Sequence, residues 1–229
     1  MPVGRPDMER KEFLGRVRQA ASTADLPPIS QVAPGAFLGD LRIDNLLDRF
    51  VERATDVNCA VKVIDATDAL DQTISIMAEY GADEYLAWAD SQMPIPGIGA
   101  GLIANGFLPR PFEVPSEDRL HHQNAYYDLI VGITGADGGL AESGSIVLTH
   151  GPNRSRMASL IPEVHVALLP ASLIVESLSH WAASRPESLT RSVNLVVISG
   201  PSRTGDIEMH LTQGVHGPRH VHVLVLGDR

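Results

Sequence analysis

Val193–Glu208 reads VNLVVISGPSRTGDIE, and the fold turns on how this stretch is read. Leu195, Val196, Val197 and Ile198 form an unbroken apolar run, the pattern of a strand buried on both faces of a parallel sheet. Gly200-Pro201 ends it. Asp206 and Glu208 then fall where acidic side chains complement the positive end of a helix dipole, so the stretch predicts strand, tight turn and a helix from Asp206 to Gln213.

Between strand and helix lie Ser199, Gly200, Ser202, Arg203 and Thr204. Open α/β sheets bind ligands beyond the carboxyl ends of their strands, and unpaired N–H groups at a helix start attract anions. The 199–206 loop is therefore a candidate site for a small anion, with Asp206 at its far side. A local reading stays open beside it: the hydroxyls cap the helix and Arg203 pairs with Asp206 or Glu208. The loop is neither a P-loop nor a GxGxxG turn.

Outward from this stretch, the chain alternates strand and helix patterns. A helix is expected over Leu41–Ala54, a strand over Cys59–Ile64, a helix over Thr67–Tyr80 ended by Gly81, and a strand over Glu84–Ala89. Met93–Gly106 is glycine-rich and apolar, Phe107–Pro115 is a proline-punctuated connector, and Glu117–Tyr126 reads as a short helix bearing His121 and His122. Strands follow at Asp128–Thr134 and Ser145–Thr149, too close for a crossover helix, so a compact turn or an antiparallel pair joins them. After a loop and one helical turn (His150–Pro162) come a strand at Val164–Leu169, a helix at Ser172–Ala183, and a last strand at His220–Leu226. The order implies an α/β fold with a mostly parallel sheet and some antiparallel strands. Residues 1–40, a charged helix followed by a proline-containing arm, stand apart from the domain expected over residues 41–229; such an arm offers a route to oligomerisation.

At 229 residues the chain suits one domain with a substantial core. Net charge of −10 without a basic block disfavours nucleic acid. Cys59 is the one cysteine, so these residues cannot form a disulfide or hold a Cys-ligated cluster. The first residues lack a signal-peptide core and no apolar run reaches spanning length, which predicts a cytoplasmic protein without a membrane span.

Asp137 and Glu142, after the 128–134 strand, are a candidate carboxylate pair, expected to cluster with Arg203 or Arg219. Equally, Asp137 can form an Asx turn and Glu142 can cap a helical turn. His220 and His222 share a strand face, a spacing metals accept, but no Cys or nearby carboxylate completes a set, and no metal is assigned. His216 beside Arg219 suits an anion better.

GITGADGGLAESGSIVL (132–148), RMASLIPEVHVALLP (156–170), VISGPSRTGDIE (197–208) and GVHGPRHVHVLVL (214–226) together resemble the LUD-domain family. The resemblance implies a Rossmann-like three-layer αβα sandwich of the sugar-phosphate isomerase and CoA-transferase superfold. It implies a cluster-free component that works beside iron–sulfur proteins in oxidising L-lactate to pyruvate, with no cofactor in this chain. It marks Thr134, Asp137, Glu142, Gly144, Arg156, Gly200, Pro201, Ser202, Arg203, Thr204, Asp206, Glu208, His216, Gly217 and Arg219, without assigning any of them a catalytic role. The competing expectation is a free-standing transferase or isomerase of that superfold using Glu142 as nucleophile or base.

Overall fold

The structure, a computed structural model, describes residues 10–23, 43–111, 128–205, 211–213 and 217–227, with the side chains at 21–23, 189–191, 203–205 and 211–213 outside that description. The predicted helix at Glu117–Tyr126 and its two histidines lie outside the described residues. The chain divides into two compact units, Met1–Ala36 and Phe37–Arg229. In the first, helix α1 (Arg10–Thr23) leaves Phe13, Leu14 and Val17 exposed.

In the second unit the strands are β1 (Ala60–Asp65), β2 (Glu84–Ala87), β3 (Leu108–Pro109), β4 (Val131–Gly135), β5 (Gly138–Leu140), β6 (Ser145–His150), β7 (Val164–Pro170), β8 (Ile174–Val175), β9 (Asn194–Ile198), β10 (Arg203–Gly205), β11 (Leu211–Gln213) and β12 (His220–Gly227). The helices are α2 (Leu46–Asp56), α3 (Ala69–Glu79), α4 (Ile98–Ala104), α5 (Met157–Leu160), α6 (Leu178–Ser184) and α7 (Pro186–Arg191). Six strands pair in parallel in the order β1-β12-β7-β4-β2-β3. A four-stranded mixed sheet runs β8-β5-β6-β9, and β10 pairs with β11 as an antiparallel ribbon. The expected α/β class is therefore found, but the strands expected at Asp128–Thr134 and Ser145–Thr149 do not pair with each other: β4 lies in the parallel sheet, and β6 pairs antiparallel with β5 and β9 of the mixed one. Among the described residues, no helix is long and apolar enough to cross a membrane.

Helix α2 starts later than its apolar pattern suggested, because Asn45 takes the cap: its backbone is extended and its side chain accepts from the Asp48 N–H at 3.1 Å. The helix buries Phe50 and Ala54 and touches β1 of one sheet and β6 and β8 of the other. The central strands β4, β7 and β12 are almost wholly buried, which accounts for their continuous apolar runs.

Three expectations are corrected, two of them from the opening stretch. Asn194–Ile198 is a strand, but it is the edge of the mixed sheet, antiparallel to β6, with Val197 37% exposed. An apolar run reads alike whether it is sheathed on both faces or covered on one, so pattern could not choose between the sheets. The helix expected over Asp206–Gln213 does not include its last three residues: Leu211–Gln213 pairs with Arg203–Gly205, the register setting Thr204 opposite Thr212. Acidic residues after Gly-Pro imitated a helix start, whereas β-branched threonines favoured extended backbone; residues 206–210 lie outside the described set. The helix expected over Ser172–Ala183 is divided. Ala171–Leu173 is a 3₁₀ turn, Ile174 and Val175 pair with β5, and α6 begins only after Ser177, whose hydroxyl accepts from the His180 N–H.

Candidate functional site

Asp137 stands where the chain crosses between sheets. Immediately before it, the Ala136 N–H donates to the Leu168 carbonyl of the parallel sheet; its own N–H donates at 2.8 Å to Val147 of the mixed sheet. Its carbonyl accepts from Trp181 Nε1 at 2.9 Å, and Trp181 is fully buried. The carboxylate is equally engaged: Oδ2 accepts from the Thr149 N–H (2.7 Å) and hydroxyl (2.8 Å), and Oδ1 accepts from Arg154 Nη1 at 2.7 Å. Nothing in the apolar spacing foretold Arg154 as its partner.

Arg154 is in turn fixed from several sides. Nε donates to Gln92 Oε1 at 2.9 Å, Nη1 also donates to the Thr149 hydroxyl at 3.0 Å, and the guanidinium lies 4.8 Å from the Trp88 ring centroid. The loop carrying it is tied down as well, since Trp88 Nε1 donates to the Ser155 carbonyl and the Ala89 N–H to that of Asn153, a residue at φ 63°. Trp88 follows β2 and Asp137 follows β4, so these groups gather at the carboxyl edge of the parallel sheet, where α/β folds place ligands.

A cleft of about 410 Å³ opens there, lined by Gln92, Thr149, His150, Arg154, Ser188 and Ser192 among others. His150 is 4% exposed and meets Trp88 edge to face. Neither ring nitrogen has a hydrogen-bond partner of acceptable geometry among the described residues, although the Asn194 backbone lies close enough to favour the protonated ring weakly. Burial lowers its pKa first and the Arg156 charge second. Behind it, His165 is fully buried on β7. Its Nε2 shares a 2.8 Å hydrogen bond with the Thr134 hydroxyl, while Nδ1 has no partner among the described residues. Burial, then the nearby His150 charge, pushes its pKa down to about 3, so the ring is neutral at ordinary pH.

The remaining predicted residues are placed elsewhere. Glu142 is exposed on the turn beyond β5, at the opposite end of that strand from Asp137, with its N–H donated to the Glu176 carbonyl. Next to it the Ser143, Ser145 and Ser199 hydroxyls form a chain at 2.8 and 2.7 Å. Gly144 (φ 67°) and Gly200 (φ 88°) press against the end of α2, where a Cβ would overlap the backbone at Ala54 and Val57. The Ser202 N–H donates to the Pro218 carbonyl at 2.8 Å. Arg219, exposed, pairs with Glu163 at 3.5 Å at the amino ends of β12 and β7. Asp137 thus meets neither Arg219 nor Glu142. Because β9 belongs to the mixed sheet, the loop after it runs to Pro218 and not to the carboxyl edge. Arg203 and Thr204 are described as backbone of β10 only, and Asp206 and His216 lie outside the described residues. His220 and His222 pack on Tyr80, whose hydroxyl shares a 3.1 Å hydrogen bond with His222. Among the described residues, no group of three metal-ligating side chains is present.

The family model for the LUD domain matches residues 47–226, from the first turn of α2 to β12. The chain belongs to the LUD domain family. It is similar to the protein named lactate utilization protein C of Halalkalibacterium halodurans, 34% identical over 95% of this chain and 94% of the relative. The protein of the same name from Shouchella clausii is 33% identical over 94% of this chain and 93% of the relative. Among solved structures, a DUF162 family protein from Deinococcus radiodurans matches with a TM-score of 0.59 at 24% identity, covering 80% of this chain and 96% of that one. That last likeness supports the fold. Every element that builds the Asp137–Arg154 cleft falls inside the LUD domain.

Proposed function

We propose that this chain is a component of an L-lactate utilisation system, oxidising lactate to pyruvate in company with iron–sulfur proteins while holding no cluster itself. The observation that carries this reading is its end-to-end similarity to proteins named lactate utilization protein C. The single cysteine supports the division of labour. Cys59 is buried, and burial pushes its thiol up to about 11, which disfavours the thiolate that metal binding needs. The six-stranded parallel sheet with a mixed insertion also suits the sugar-phosphate isomerase and CoA-transferase superfold.

In this reading the chain's own part is binding and presentation. The described donors of the 199–206 loop serve the fold: the Ser199 hydroxyl meets Ser145 and the Ser202 N–H meets Pro218. The alternative role for Glu142 as nucleophile or base gains less support, since Glu142 is exposed and away from the cleft.

The test is complementation. A bacterium deleted for its lactate utilization protein C and grown on L-lactate as sole carbon source should recover growth when it expresses this chain, and the tagged chain should co-purify with iron–sulfur proteins. Folded, abundant chain without recovery of growth would overturn the reading.

A further inference from the structure

We infer that the cleft at the carboxyl edge of β2 and β4 is a binding site for a small organic monocarboxylate that carries a second, uncharged oxygen, the class of 2-hydroxy and 2-oxo acids. The inference rests on the proposed role in lactate utilisation for the choice of acid, and on the geometry for the site.

Arg154 supplies the anchor. Its Nε and Nη1 are committed to Gln92, Asp137 and Thr149, and Trp88 backs its plane, so the guanidinium is held before any ligand arrives. Among the described residues, Nη2 has no hydrogen-bond partner. Arg156 is exposed and its charge is felt at His150, yet it makes no ion pair among the described residues. Arg154 is thus the cationic side chain that lines the cleft, with Arg156 outside its lining.

His150 supplies the second requirement. Buried polar groups are nearly always hydrogen-bonded, and this ring, 4% exposed at the cleft, has no partner of acceptable geometry for either nitrogen among the described residues. A small rotation would let it meet the ligand's uncharged oxygen. The formal charges argue against a dianion: Arg154, the cation lining the cleft, is already paired with Asp137, and the carboxylate of Glu187 lines the cleft as well. At about 410 Å³ the space lies near the lower end of ligand sites, which run from about 300 to 1,000 Å³, and suits a small acid.

Calorimetric titration of the intact chain with sodium L-lactate, pyruvate, propionate and inorganic phosphate tests this. Lactate or pyruvate should bind at one per chain, with propionate, lacking the second oxygen, and phosphate each about tenfold weaker or more. His150→Phe keeps a ring against Trp88 but removes the nitrogens offered to the second oxygen, and Ser188→Phe narrows the cleft from α7. Each should lower lactate affinity about tenfold or more while the unfolding temperature stays put. Tighter binding of phosphate, equal affinity in both variants, or no binding of either acid would overturn the inference. A chain that restores growth on lactate but binds none of these acids defeats this inference alone; one that binds them without restoring growth defeats the proposed function alone.

Discussion

Arg154 Nη1 donates to Asp137 Oδ1 at 2.7 Å, and through that pair the loop after β6 is locked to the point where the chain changes sheets. Removing either partner strands the other in a partly buried setting. Asp137→Ala and Arg154→Ala, alone and combined, should show a coupling of about 1–3 kcal/mol in urea unfolding. Additive losses would mean that the pair is incidental.

Trp181→Phe keeps most of the apolar bulk packed against Leu140 and Val147 but deletes the donor to the Asp137 carbonyl. A loss of about 1–3 kcal/mol is expected from one buried acceptor left without its partner. Thermal unfolding reads it directly.

Gly144→Ala and Gly200→Ala should both be destabilising by roughly 2–4 kcal/mol, since each adds left-handed strain to a clash with the end of α2. As a control, Gly151→Ala meets open space at ordinary φ and should change little. Equal melting points for Gly144→Ala and the control would contradict the packing described.

Stability should fall on acidification. The folded-state pKa of His165 is lowered from 6.5 to about 3, so the unfolded chain binds the extra proton between those values. The stabilisation is fully present above about pH 6.5 and is lost as pH falls through the folded value. His150 and His222, both lowered chiefly by burial, act in the same direction. The double substitution His165→Leu with Thr134→Val, which removes both hydrogen-bonding partners together, should shrink the difference in unfolding free energy between about pH 7 and about pH 5. An unchanged difference would show that His165 is not a source of the acid sensitivity.

The strands of the parallel sheet were legible because a strand buried on both faces must be apolar throughout: VGITG of β4 and VHVALL of β7 admit few other readings. The partner sheet of β9 was not legible, because the same apolar run serves an edge strand. The site was legible at Asp137 alone. Arg154 and Trp88 come together only through the path of a loop fixed by long-range hydrogen bonds, and no spacing in the sequence encodes that meeting. The sign that points to Arg154 is an Arg closing a Gly-Pro-Asn turn just beyond a buried strand. His150 closes that strand, and its lost hydrogen-bond partners could be recognised only once β9 was in place.

Strand β12 lies between β1 and β7, with His222 aligned to Ala60 on one side and Val166 on the other. During synthesis β1 emerges early, and its one sheet neighbour among the described residues is a strand made more than a hundred and fifty residues later. Until then its main-chain groups are satisfied by water or by a chaperone, and β7 offers an open flank to any passing strand. Closure of this sheet therefore waits for β12, and a chain cut short before His220 would carry two vacant edges in place of one continuous sheet.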